Sequence, residues 1–128
     1  MSLNPPSGLP DFENRDRTKR TVLYVPVEGE IKVIPYTSTT KLSELLESEH
    51  YEGLAFGDMK LAEKGYRLAG FIRTNYGRGG GPINKRCSKI HIAEIPGPVV
   101  IMNEDSKGYV PLTEADIPFI FYQEQNLQ

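Results

Sequence analysis

Apolar positions along this chain come in short runs divided by turn residues, and the spacing inside each run predicts its local structure. Val22, Leu23, Tyr24 and Val25, then Ile31, Lys32, Val33, Ile34 and Tyr36, are β-favouring stretches. Glu28-Gly29-Glu30 between them supplies a turn, so the two runs predict a hairpin. Pro26 and Pro35 lack an N–H donor, which confines them to strand ends or to an edge. Thr39 or Thr40 offers an N-cap, and Leu42, Leu45 and Leu46 recur at helical spacing, predicting a main helix over about 41–49. Glu44, Glu47 and Glu49 form its wet face.

Further on, Leu54, Ala55 and Phe56 predict a short strand ended by Gly57, and 58–64 fits either one helical turn or a loop. Tyr66 to Ile72 reads as a strand. Ile90 and Ile92 alternate with polar neighbours, predicting a strand over 88–92, although 84–89 fits a helical turn equally well. Val99 to Met102 is a continuous apolar run between Pro96-Gly97-Pro98 and Asn103-Glu104-Asp105, the pattern of a strand buried on both faces. Asn103 to Gly108 predicts a hairpin turn in which Gly108 takes the unusual φ. Thr113 with Asp116 three residues later resembles a capping box, and 119–122 fits a final strand or a docked segment.

These elements predict an α+β fold: a small mixed or antiparallel sheet with one main helix packed on it. Residues 1–20 are expected to be a flexible, disordered or extended N-terminal tail, because Pro5, Pro6, Gly8 and Pro10 break structure and 13–20 is a mixed charge run; Leu9 and Phe12 are its possible pins. Residues 21–128 are expected to form a single domain. At 38% hydrophobic and 25% charged residues, the composition is that of a globular chain and excludes disorder as the main state. No run approaches the ~20 apolar residues of a membrane-spanning helix, and no signal-peptide core precedes Asp16. The lone cysteine, Cys87, excludes an internal disulfide, and an intracellular setting is expected.

Charge changes this picture. The 30 residues from Lys64 to Ala93 hold seven positive side chains (Lys64, Arg67, Arg73, Arg78, Lys85, Arg86 and Lys89) and no acid. The whole chain has 15 Lys plus Arg against 17 Asp plus Glu, so 8 positives face 17 acids elsewhere. Such asymmetry governs which partners approach. The segment is centred on Asn75-Tyr76-Gly77-Arg78-Gly79-Gly80-Gly81-Pro82. Gly79 and Gly80 leave backbone amides uncovered for an oxyanion, Arg78 suits a bidentate phosphate clamp, and Asn84, Lys85 and Arg86 add polar and positive groups. Tyr76 suits stacking on a base. The strict phosphate motifs are absent, since neither Lys-Ser nor Lys-Thr follows the glycines. The alternative is a solvated connection with no ligand.

The expected function is therefore a non-enzymatic binding domain. Its site is Tyr76, Arg78, Gly79, Gly80, Asn84, Lys85 and Arg86, and its partner a phosphorylated small ligand or an acidic protein surface. Single-stranded nucleic acid is the alternative partner, set against by the formal net charge of −2. A third reading is a cysteine enzyme using Cys87 with His91, which needs a helix to bring the two together; in a strand they lie ~13 Å apart. A fourth is an assembly protein whose exposed strand edges pair with another chain. No cofactor is expected, and two histidines with one cysteine do not make a structural zinc site.

Three stretches carry a resemblance: Gly81-Pro82-Ile83-Asn84-Lys85-Arg86-Cys87-Ser88, Ile95-Pro96-Gly97-Pro98-Val99-Val100-Ile101, and Pro111-Leu112-Thr113-Glu114-Ala115-Asp116-Ile117. Over about residues 39–117 they are similar to a small domain of unknown function found mostly in bacteria and phages. Its pattern runs Leu-Pro-x-Asn-Arg-x-Ala, Gly-x-Val-x-Val, Leu-Thr-x-x-Asp. This chain departs from it in Lys85 for the arginine, Cys87-Ser88 for small residues, and three glycines before Pro82. The resemblance implies a compact α+β domain with Asn84 and Arg86 near its contacts, and a phage- or virus-type accessory or host-modulating role. It implies no activity.

Overall fold

The computed structural model describes residues 12, 14–57, 59–74, 82–88 and 94–121. Along the chain these form β1 (Thr21–Val25), β2 (Lys32–Pro35), α1 (Leu42–Leu45), β3 (Tyr51–Phe56), α2 (Met59–Glu63), β4 (Leu68–Arg73), α3 (Lys85–Ser88), β5 (Val99–Asp105), β6 (Gly108–Val110) and α4 (Asp116–Phe121). The six strands make one sheet in the order β2-β1-β5-β4-β3, with β6 also paired to β5. Every pairing is antiparallel. β5 is central because its run Val99 to Met102 satisfies both faces at once: Val99 and Ile101 enter one apolar cluster, Val100 and Met102 the other.

The expected main helix is corrected. α1 has four residues, and none of the helices among the described residues reaches seven, so the fold is a sheet carrying short helices. Two local causes stop α1. Thr40 spends its hydroxyl on Pro35 O and Thr37 N, leaving Lys41 at the N-cap position with no side-chain cap bond. At the other end Glu47 enters the left-handed region at φ 55, while Ser48 N–H donates to Ser43 O and Glu47 N–H to Glu44 O. That pair of bonds is the Schellman closure, and it turns the chain toward β3.

Of the expected tail, Phe12, Arg15, Arg17 and Arg20 make contacts with the domain. Arg15 donates both terminal nitrogens to Asp116 at 2.7 Å, and Arg17 does the same to Asp105 at 2.6–2.7 Å. Phe12 meets Tyr66 edge-on, with centroids 5.2 Å apart, and Arg15 lies over the Phe12 ring. Residues 1–11 lie outside the described set. Of the segment 119–122, expected as a final strand or a docked stretch, 119–121 belong to α4 and 122 lies outside the described residues. Asp116 opens this helix, its carboxylate accepting from Thr113 N–H at 2.7 Å, and Pro118 falls in the first turn where proline is tolerated.

Candidate functional site

The two faces of the sheet differ in what covers them. Leu23, Val25, Leu68, Ile72, Val99 and Ile101 point to a face sealed by α2, α3, α4, Ile95, Leu112 and Phe12. Val22, Tyr24, Ile34, Ala69, Phe71, Val100, Met102 and Tyr109 point the other way, where Leu42, Leu45 and Leu46 of α1 are the helical cover. Six rings or stems on this second face, those of Tyr24, Ile34, Tyr36, Phe71, Tyr109 and Leu45, are only partly buried, and Tyr51 is 41% exposed.

Strand pairing places these groups. Tyr51 pairs with Arg73 and Gly53 with Phe71, so β3 and β4 bring Tyr51 and Phe71 to the same side, with rings 6.1 Å apart at 88°. Tyr36, just past β2, stacks with Phe71 at 6.4 Å and 15°. Its phenol is pushed up by burial first, then by the neighbouring phenols of Tyr109 and Tyr51, with Arg20 opposing. Arg20 itself lies over the Tyr109 ring at 4.8 Å. Tyr24 is likewise raised, by burial and then by Glu47. Arg73, 17% exposed, is oriented by Leu46 O at 2.8 Å and Glu47 at 3.2 Å. Lys32 shares this face through its pairing with Tyr24, as does Glu104 through Tyr109. The product is a line of aromatic rings with guanidinium groups beside it.

The residues expected to form the loop site fare differently. Tyr76, Arg78, Gly79 and Gly80 lie outside the described residues, as does His91. Lys85 is exposed on α3. Asn84 is fully buried: its Nδ2 donates to Val25 O and Gly97 O, each at 3.0 Å, and its Oδ1 accepts from Cys87 N–H at 3.2 Å. Arg86 donates to Gly29 O at 2.6 Å and also to Pro26 O. Both side chains therefore fasten α3 to the β1–β2 hairpin by its backbone carbonyls. Cys87 has no exposed surface, and burial pushes its thiol up to about 12, far from the thiolate that nucleophilic catalysis needs at neutral pH.

Sequence reading missed two groupings. The aromatic line was hidden because strands far apart in the chain supply it, although the alternation of Tyr24 with Leu23 and Val25 is a signal that Tyr24 faces away from them. The second is polar and sealed: Asp116, 1% exposed, holds Arg15, the Tyr66 hydroxyl at 2.6 Å and Thr113. Burial, then the bond to Asp116, raises the Tyr66 phenol far above its ordinary value. An open cleft of about 520 Å³ beside Arg15 and Lys19 is also bordered by Asp16 and Glu114, mixed charges that do not select an anion. Among the described residues no group of His, Cys, Asp and Glu is placed to hold a metal, and no helix is long and apolar enough to cross a membrane. No protein-family model, curated protein or solved structure matches the chain.

Proposed function

We propose that this protein is a non-enzymatic domain that binds single-stranded nucleic acid across the second face of its sheet. The observation that carries the reading is the Tyr36–Phe71–Tyr51 line with Arg20 on Tyr109. A partly covered sheet bearing aromatic rings is a stacking platform for unpaired bases, and guanidinium groups at its margin meet the phosphates. An acidic protein surface would draw on the cations alone and leave the rings without a role. With Asn84 and Arg86 bonded to carbonyls, the sheet face is also better furnished than α3 for contact. The buried, free Cys87 suits an intracellular setting.

The net charge of −2 limits the electrostatic share of binding. Arg20 and Lys32 are the phosphate contacts assigned here, so log K should fall with log salt at a slope of about −1.4, at ~0.7 per phosphate on a single strand. The chain has seven tyrosines and no tryptophan, so quenching of tyrosine fluorescence reports stacking directly. Titration with a labelled oligothymidylate should quench it and show anisotropy changes of matching midpoint. Tyr51→Ala should weaken binding about 5- to 150-fold, the scale of ~1–3 kcal/mol per stacked base. Absence of binding at low salt, or equal affinity of Tyr51→Ala and Arg20→Ala with the parent, rejects the reading.

A further inference from the structure

The sheet has two outer edges, and they are built differently. β2 ends at Pro35 and carries Lys32, both of which discourage a further strand. β3 reads Tyr51-Glu52-Gly53-Leu54-Ala55-Phe56, with no lysine, no proline and a single charge. Tyr51, Glu52, Gly53 and Ala55 are exposed, and among the described residues no strand pairs with its outer side.

The hydrogen-bond phase of that edge follows from two bonds just beyond the paired strands. Thr74 N–H donates to His50 O, in register with Tyr51 opposite Arg73, so the even-numbered residues of β3 bond to β4. Glu104 N–H donates to Arg67 O, in register with Leu68 opposite Asn103, so the odd-numbered residues of β4 bond to β5. The two phases are complementary, as they must be in a strand paired on both sides. Tyr51, Gly53 and Ala55 therefore aim their N–H and C=O groups outward from β3.

We infer that β3 pairs with β3 of a second copy of this chain, antiparallel about a two-fold axis through Gly53. An axis normal to the sheet keeps each face continuous only if paired residue numbers have the same parity, and Gly53 opposite itself meets that condition. Tyr51 then lies opposite Ala55 of the second copy, and Glu52 opposite its Leu54. Each outward N–H and C=O gains a partner, the large Tyr51 meets the small Ala55, and no two like charges stand directly opposite. The Tyr51 ring also reaches diagonally over the bare Gly53 of the neighbouring strand, which covers an edge glycine. The six-residue edge predicts an association that depends on concentration, with the two aromatic faces joined side by side. This inference stands apart from the nucleic-acid reading, since it needs only the edge.

Sedimentation from low micromolar to near-millimolar concentration tests it. The parent chain should shift from the monomer mass to twice that mass. Gly53→Lys should remain monomeric, because it sets two ammonium groups face to face. Its own fold has room: a Cβ at Gly53 meets Gly70 O and Phe71 only at 3.8 Å. Gly53→Cys supplies an arm that does not depend on disruption. Opposed residues of a bonded antiparallel pair lie about 5.5 Å apart at Cα, within disulfide reach. Mild oxidation should therefore cross-link Gly53→Cys rapidly, and Glu52→Cys at least tenfold more slowly. A parent chain that stays monomeric, a Gly53→Lys variant that still doubles in mass, or equal cross-linking at the two positions overturns the inference.

Discussion

The two faces of one sheet show how differently a short chain can use the same strands. On the sealed face, buried apolar side chains of the strands are capped by three helices. On the open face, one turn of helix covers Val22, Val100 and Met102, and the rings of Tyr24, Tyr36, Phe71 and Tyr109 fill much of the rest beside Ile34 and Ala69. A tyrosine tolerates a half-wet position because one end is apolar and the other hydrogen-bonds water. The sealed face should therefore carry most of the stability, and the open face most of the recognition.

The largest test of that division is Asp116. Its carboxylate, 1% exposed, gathers Arg15, Tyr66 and Thr113. Asp116→Ala leaves a largely buried guanidinium without its partner and uncaps α4, and loss of one member of a buried pair costs ~3–5 kcal/mol. Urea unfolding should show a loss of that size, whereas Tyr51→Ala on the open face should cost no more than the ~0.5–1.5 kcal/mol of its edge contact with Phe71. Equal effects at the two positions would erase the distinction between the faces.

A smaller effect separates two glycines in neighbouring strands. Gly70 of β4 lies under Phe56 on the sealed face, and a Cβ there would overlap the ring; a Cβ at Gly53 of β3 would make only ordinary contacts, at 3.8 Å from Gly70 O and Phe71. Gly70→Ala should cost ~1–3 kcal/mol by overpacking. Gly53→Ala should change stability by less than ~0.5 kcal/mol. Thermal melts of the two variants side by side decide the matter, and a Gly70→Ala melt that overlays the parent's would show a looser cover than the geometry gives.

How much of this was legible in the sequence depended on range. The β1–β2 hairpin, the buried run at Val99–Met102 and the turn at Gly108 were legible because each is decided within a few residues. The length of α1 was not: Leu42, Leu45 and Leu46 satisfy helical spacing for one turn as well as for three, and what ends the helix is the left-handed Glu47, a conformation that glutamate does not advertise. Of the two expectations for the last apolar segment, the strand is overturned by α4, because Phe119 to Phe121 is apolar in either conformation. The capping partner was legible, but its bonds to Arg15, 101 residues away, were not. Of the expected site, Asn84 and Arg86 are singled out by type and position, yet a polar side chain on or beside a short helix serves a carbonyl as readily as a ligand.

The finest test of the division lies at the rim of the sealed side, where the same N-terminal segment makes a second, wetter ion pair. Arg17 grips Asp105 with the two-pronged geometry that Arg15 uses on Asp116, but about a third of each side chain is exposed. The Arg17 hydrogen bond, and then the Lys107 amide, hold the Asp105 carboxyl well below the usual carboxylate range. An acid whose folded pKa is depressed binds its proton more readily when unfolded. Its contribution is therefore complete above the unfolded value, about 3.9, and fades as pH falls through the folded one. Asp105→Asn lacks the contribution at every pH. Its melting temperature should lie slightly below the parent's at neutral pH, and the gap should close as the solution is acidified below about pH 4. Solvent screening keeps this the smallest of the effects. A gap that stays constant into acid would mean that Asp105 acts through the Ser106-Lys107 turn rather than through its charge.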